Sequence, residues 1–192
     1  MLLAALLFAI SPKFQDWAAS PQAYFMTKAE RAQWAVITTD DDAQRFIDKF
    51  IASRGPDFVD EVKTRAAIAD KYLTYGKTPG SKSLRGKVII LLGPPASMAV
   101  HERVESGPRS GTTSASIDAA GSGITADDVR DASQRQAMAG KTFRDYTFTY
   151  PGLTVTVEAD VNGVDRVSDH KQQEALEQRF EAAAAAPVVR TK

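Results

Sequence analysis

Three groups of residues in this 192-residue chain have the types and spacing to do chemistry. Gly76-Lys77-Thr78 ends as a phosphate-binding loop ends, where free backbone amides and a lysine ammonium cradle phosphate oxygens. Lys71 stands where the first glycine of such a loop belongs, and the segment follows a helical pattern in place of a strand. Nucleotide binding is therefore not expected. Asp40-Asp41-Asp42 offers three carboxylates to a hard cation, but no second set of ligands follows at a fixed spacing. With Thr39 before it, the run reads as the capped first turn of a helix, where carboxylates meet the positive end of the dipole. His101 and His170 are the only histidines for a serine triad or an imidazole metal site, and neither lies in a nucleophile-elbow context. His101-Glu102 reads as a surface pair on a loop. Acids are scattered, and no pair stands out for glycoside chemistry. No catalytic, cofactor-binding or metal-ligating residue is assigned, and no cofactor is expected.

Composition narrows the classes further. The formal charge is zero and the sequence pI near 6.7, which argues against a nucleic-acid partner. Zero cysteines exclude a disulfide scaffold, thiolate metal sites, thiol catalysis and a lipid-modified cysteine anchor. The chain is 43% hydrophobic, but thirty of those residues are alanine, so the core is thin for its length. One charge asymmetry is local. Five Lys/Arg residues and no acid occur from Lys71 through His101, bracketed by glycines and prolines. Lys77, Lys82, Arg85, Lys87, Gly93, Pro94 and Pro95 form the candidate docking patch of that stretch, for an acidic partner or anionic headgroups.

The elements that must position these residues follow from periodicity. Thr27 and Glu30 have capping-box spacing and open a helix from Lys28 to Val36, with Trp34 expected in the core. After Thr39, residues Ala43, Phe46, Ile47, Phe50 and Ile51 form an amphipathic stripe that stops before Gly55-Pro56. A helix from Asp57 to Tyr75 buries Phe58, Val62, Ala66, Ala69 and Leu73. Lys87 to Leu92, an unbroken apolar run closed by Gly93-Pro94-Pro95, reads as a strand buried on both faces. Strands over 143–150 and 153–159 alternate and meet at Pro151-Gly152 as a hairpin. Asn162-Gly163 turns the chain into a short fourth strand through Val164 and Val167. Asp169 caps a helix from Lys171 to Ala186, stopped by Pro187; its alanine run buries little, so the helix is expected to project outward. The fold class is α+β: an N-terminal helical segment packed on an antiparallel sheet of about four strands, with a C-terminal helix.

Residues 1–20 form an apolar N-terminal segment, 21–168 a single domain, and 169–192 the C-terminal helix and tail. Ser106 to Ser122, rich in Gly, Ser and Thr, reads as a mobile insertion, and Thr125 as the cap of a short helix beyond it. Met1 to Ile10 spans about 15 Å as a helix, half of a bilayer core. It has the length of an export-signal core without a preceding basic residue, and reads as a signal remnant or a docking helix.

The order of segments resembles the GWxTD-domain family. The likeness is carried by Ile10 to Trp17, Phe25 to Trp34, Asp41 to Phe50, and Arg85-Gly-Lys-Val-Ile-Ile-Leu-Leu-Gly-Pro-Pro95. At the naming motif this chain reads Gly80-Ser81-Lys82-Ser83-Leu84: the glycine matches, but serine, serine and leucine replace tryptophan, threonine and aspartate. The strand half is also similar, more loosely, to small outer-membrane-assembly lipoproteins of the SmpA/OmlA type. The second likeness supports the architecture alone; the first implies an exported, periplasmic or envelope-associated protein, with a cytoplasmic one as the alternative. The expectation is a non-catalytic protein acting through protein–protein contacts, with a protein partner or its own copy, and peripheral membrane association through residues 1–10. The alternative is a ligand-binding or hydrolytic domain with a pocket near Gly93-Pro94-Pro95.

Overall fold

The computed structural model describes residues 10–104, 142–186 and Val188. Residues 1–9, the Ser106 to Ser122 insertion, the Thr125 cap and Pro187 fall outside the described residues. Among the described residues the elements run α1 (Pro12–Ala18), a 3-10 turn (Pro21–Phe25), α2 (Lys28–Ala35), α3 (Asp40–Arg54), α4 (Phe58–Leu73), a second 3-10 turn (Gly80–Lys82) and α5 (Leu84–Leu92). The strands β1 (Ser97–Val104), β2 (Thr142–Tyr150), β3 (Leu153–Asp160) and β4 (Asp165–Arg166) and the helix α6 (His170–Ala185) follow. This is the α+β class, a four-stranded antiparallel sheet in the order β1-β2-β3-β4 beneath helices.

The helix starts lie where side chains can satisfy free amides. Thr27 Oγ1 accepts from the Glu30 amide at 3.2 Å while the Glu30 carboxylate accepts from the Thr27 amide at 2.8 Å. Thr39 accepts from Asp42, and Asp169 from Lys171 and Gln172. Each such cap stabilises its helix by about 1 kcal/mol. The acids of the Asp40 run are used locally: Asp40 accepts from the Ser11 amide at 2.7 Å, and Asp42 pairs with Arg45.

The principal correction is α5. Lys87 to Leu92 was expected as a strand and is helical. Short apolar runs satisfy a buried strand and a buried helix equally. Residues before the run favour the helix: Ser83 Oγ accepts from the Gly86 amide at 3.0 Å and caps its first turn, and the packing around the run does the rest. Val88 and Ile90 are fully buried, with Ile89 and Leu91 nearly so, and α5 touches α4, both 3-10 turns, α6 and β4. The sheet's first strand is instead β1, which places His101-Glu102 on a strand and not on a loop.

The Pro151-Gly152 hairpin forms as expected, with Tyr150 opposite Leu153 and Phe148 opposite Val155. Tyr146, Phe148, Val155 and Val157 face the helices and join Val62, Leu73, Val88 and Ile90 in the main core. The fourth strand is shorter than expected, only Asp165–Arg166. Helix α6 does not project outward. Leu176, Phe180 and Ala184 are buried, Gln172 accepts from the Thr156 amide at 2.9 Å, and Arg179 donates to the Pro151 carbonyl at 2.8 Å. Leu176 and Phe180, four residues apart, supply the apolar stripe that the alanines lack. The N-terminal helices close a smaller cluster of Phe14, Ala43 and Ile47. Trp34, expected in the core, is half-buried at its edge, 5.0 Å from the Trp17 ring.

On the sheet's outer face Glu158 accepts from Arg166 at 2.7 Å and Arg103 at 3.1 Å, tying β1, β3 and β4. Burial pushes the Glu158 carboxyl up, but hydrogen bonds from Ser168 and Arg166 and the two guanidinium charges leave it below its ordinary value of 4.5. A carboxyl lowered on folding stabilises the fold above its unfolded value, and that share is lost as pH falls through the lowered one. Glu158→Gln is expected to cost about 1 kcal/mol at neutral pH, kept small by the exposure of the arginines. The difference from wild type should shrink in urea unfolding curves below the ordinary glutamate value. A gap that persisted unchanged in acid would contradict the assignment.

Candidate functional site

The seven residues of the candidate patch do not share a surface. Lys77 and Lys82 are exposed in the connection between α4 and α5, and Pro94 is exposed beyond α5. Gly93 is buried and Pro95 half-buried. Arg85 is fully buried and Lys87 half-buried. On a strand, Arg85 and Lys87 would have pointed to one face; on a helix, two residues apart, they turn to opposite sides. The basic patch is therefore corrected to two exposed lysines, one internal arginine and one lysine directed into a cavity.

Arg85 holds the interior together. Its Nε donates to the Leu73 carbonyl at 2.6 Å, Nη1 to Gly163 at 3.4 Å and Nη2 to Tyr75 at 3.5 Å. Nη1 also pairs with the Asp165 carboxylate, which accepts from the Arg85 amide at 2.9 Å. One guanidinium thus satisfies the end of α4, the Asn162-Gly163 turn and β4. Nothing in the sequence signals that Arg85 and Asp165, eighty residues apart, meet.

The segment Gly80-Ser81-Lys82-Ser83-Leu84 is largely internal as well, with Lys82 alone of the five exposed. The Ser81 amide donates to Asp70 at 2.7 Å, and the Tyr24 hydroxyl donates to the Ser81 carbonyl at 2.9 Å. Ser83 donates to the Gly80 carbonyl at 2.7 Å while capping α5. A Cβ on Gly80 would lie 1.9 Å from the Ala69 carbonyl oxygen, and one on Gly86 1.8 Å from that of Gly80. Two glycines let α4, the 3-10 turn and α5 stack backbone on backbone.

At the Gly93 end, Arg65 pairs with Glu61 at 2.7 Å and donates to the Ile90 carbonyl at 3.0 Å, satisfying the last turn of α5. Tyr150 donates to the Gly93 carbonyl at 2.8 Å. Burial raises the Tyr150 phenol well above its ordinary value, so it stays a donor. The cavity beside this end, about 330 Å³, is lined by Phe25, Arg65, Leu92, Ala183 and Val188 among others.

A larger cavity of about 830 Å³ lies elsewhere, between α2, α5 and α6. Lys87 stands in its wall, its ammonium 5.0 Å from the Phe180 ring centroid and 5.6 Å from that of Tyr24. Arg31 and Glu181 pair at one end of it, and Glu174 and Glu177 line it from α6. Helical phase is the signal that leads to this lysine, and it appears only once Lys87 is read as helical.

Strand β1 is the other open feature. Met98, Val100 and Val104 lie on the core-facing side of the sheet by their register with β2, yet are 41%, 44% and 60% exposed. Met98 is opposite the buried Phe148 and Val100 opposite the buried Tyr146, so the apolar row continues the core outward.

Among the described residues no group of three or more His, Asp and Glu converges on a metal position. His101 is exposed on β1, and His170 is exposed at the start of α6, 3.5 Å from Glu174. Also among the described residues, no helix is long and apolar enough to cross a membrane. These features define the class: an α+β protein that, among the described residues, has buried ion pairs, an exposed sheet edge and cavities beside α6. Comparison of the chain with protein-family models, with curated proteins and with solved structures finds no match.

Proposed function

We propose that this chain is a non-catalytic, envelope-associated interaction protein of the GWxTD kind, which engages a protein partner by strand addition at β1. The observation that carries the reading is the apolar row Met98, Val100 and Val104, left uncovered among the described residues at an eight-residue sheet edge. The edge has no proline or lysine and pairs with β2 without interruption; its charges, Glu102 and Arg103, lie toward its far end in ion pairs with Arg144, Asp145 and Glu158. An extended segment laid along it would gain main-chain hydrogen bonds, with alternate apolar side chains set against the row. Glu102 argues for a different chain over a second copy. It shares the face of the row and pairs with Arg144 on β2, and antiparallel self-pairing would set that ion pair against Met98, Val100, Val104 or another Glu102. Envelope association rests on the apolar run of Met1 to Ile10 and on the resemblance.

Crosslinked pull-down from native envelope fractions tests this. The full chain should capture a specific protein, and Val100→Lys, on an exposed side chain, should lose it by at least about tenfold. The unfolding free energy should change by no more than about 0.5 kcal/mol. Equal capture by the variant, or self-pairing into a dimer that Val100→Lys abolishes, would overturn the partner reading. Recovery of the full chain only in the soluble fraction, unchanged by removal of residues 1–9, would overturn the envelope assignment.

A further inference from the structure

We propose that the cavity between α5 and α6 binds a small zwitterion, an amino acid or short peptide, with its carboxylate on the Lys87 ammonium and its amine on the α6 glutamates. The inference is independent of strand addition at β1.

The charges of the cavity are unequally satisfied. Arg31 and Glu181 pair with each other, and Arg31 also donates to the Met26 carbonyl at 2.7 Å, so neither is left over. Lys87 has no hydrogen-bond acceptor or ion-pair partner among the described residues; its ammonium rests only on the Tyr24 and Phe180 rings. Such ring contacts are worth about 0.5–2 kcal/mol and leave the three N–H donors unused. Across the gap, among the described residues, Glu177 takes one hydrogen bond from Gln173, and Glu174 has His170 as its one charged neighbour within 4 Å, itself exposed. Lys87 and Glu177 line the same cavity without pairing.

This arrangement selects among ligand charges. A simple anion drawn to Lys87 would meet Glu174 and Glu177, and a simple cation drawn to the glutamates would meet Lys87. A molecule with one charge of each sign, separated by a short spacer, satisfies both walls. Leu91 and the two rings supply apolar surface for a side chain. The volume of about 830 Å³ falls in the roughly 300–1,000 Å³ range of small-molecule sites. Burial, and then the positive Arg31, hold the Lys87 ammonium below its ordinary value, while Glu181 and Glu177 draw it back. A carboxylate brought against Lys87 would relieve that cost.

Titration of the full chain with glycyl-phenylalanine, followed by calorimetry and NMR shift changes, decides the matter. Saturable binding below about 10 mM is expected, at least about tenfold weaker when the dipeptide is N-acetylated or its carboxylate amidated. Lys87→Met, which keeps the apolar stem, and Glu177→Gln, at an exposed position, should each weaken binding to a similar degree with unchanged circular dichroism. Absence of binding would overturn the proposal, as would retention by both variants. Sensitivity to amidation alone would make this an anion site and would overturn it equally.

Discussion

Gly86→Ala is expected to destabilise the protein by about 3–5 kcal/mol, a fall in melting temperature of roughly 10 °C for a chain of this size. Two effects oppose each other. Alanine is the better helix former by about 1 kcal/mol, and Gly86 lies within α5 with ordinary helical backbone angles, so intrinsic propensity favours the substitution. The added Cβ would stand 1.8 Å from the Gly80 carbonyl oxygen, 2.6 Å from its carbon and 3.3 Å from the Ala69 Cβ. The nearest atoms are backbone, so relief requires α5 to move off the 3-10 turn and the turn off α4, in a core where such gaps are costly. Sterics win. Gly55→Ala provides the contrast, since Gly55 has a positive φ of 94° and nothing within 4 Å. It should cost less, about 1–3 kcal/mol, the penalty of an L side chain at φ 94° and ψ 168°, a backbone region essentially reserved for glycine. Urea unfolding of the two variants side by side measures the difference. Equal stabilities would mean that α5 does not rest on Gly80.

Asp165→Ala is expected to cost about 3–5 kcal/mol by leaving the Arg85 guanidinium buried without its counter-charge. Arg85 is wholly inaccessible and the Asp165 side chain only 4% exposed, so water cannot replace the lost carboxylate. The arginine would keep its donations to Leu73, Gly163 and Tyr75, which hold the group in place but do not neutralise it. Removing both charges, as Arg85→Met with Asp165→Ala, should therefore cost less than the sum of the single changes. It should not restore wild-type stability, because three carbonyls then lose a donor at about 1–3 kcal/mol each where they stay dry. A double-mutant cycle in denaturant reads this coupling directly. Additive losses would show that the pair contributes no interaction of its own.

The parts of the fold that were legible in the sequence are those decided within a few residues. Thr27 and Glu30 satisfy one another's neighbouring amides, Asp169 closes the first turn of α6, and Pro151-Gly152 joins two strands whose alternation is plain. What misled was the segment where local signals are silent. Lys87 to Leu92 is apolar throughout, so neither a period of two nor one of 3.6 can be read from it. Its helical state depends on the Ser83 cap and on contacts with Gly80 and Ala69. Taking it as a strand displaced the true first strand, although Met98, Val100 and Val104 alternate in the next segment. It also set Arg85 and Lys87 on one face, and so produced a basic patch where the chain has an internal ion pair and a cavity wall. The alanine content of α6 points outward, whereas the four-residue spacing of Leu176 and Phe180 points to the packed position that the helix takes. The Arg85–Asp165 contact depends on the whole topology, and no local pattern encodes it.

Helix α5 bears on how the opened chain behaves. Val88-Ile-Ile-Leu-Leu92 is apolar throughout and opens with three β-branched residues, without charge or proline, the composition of segments that stack into dry, interdigitated fibrils. It is helical because α4, α6 and the Gly80 turn enclose it, not because its own preference is strongly so. Any opening that parts those helices frees the same residues for the competing extended state, where they can pair with the equivalent segment of another opened chain. Close contact between Gly86 and Gly80 therefore does more than fill space. It hides an aggregation-prone sequence inside a helix, and the rarity of that opening sets how long the chains remain separate.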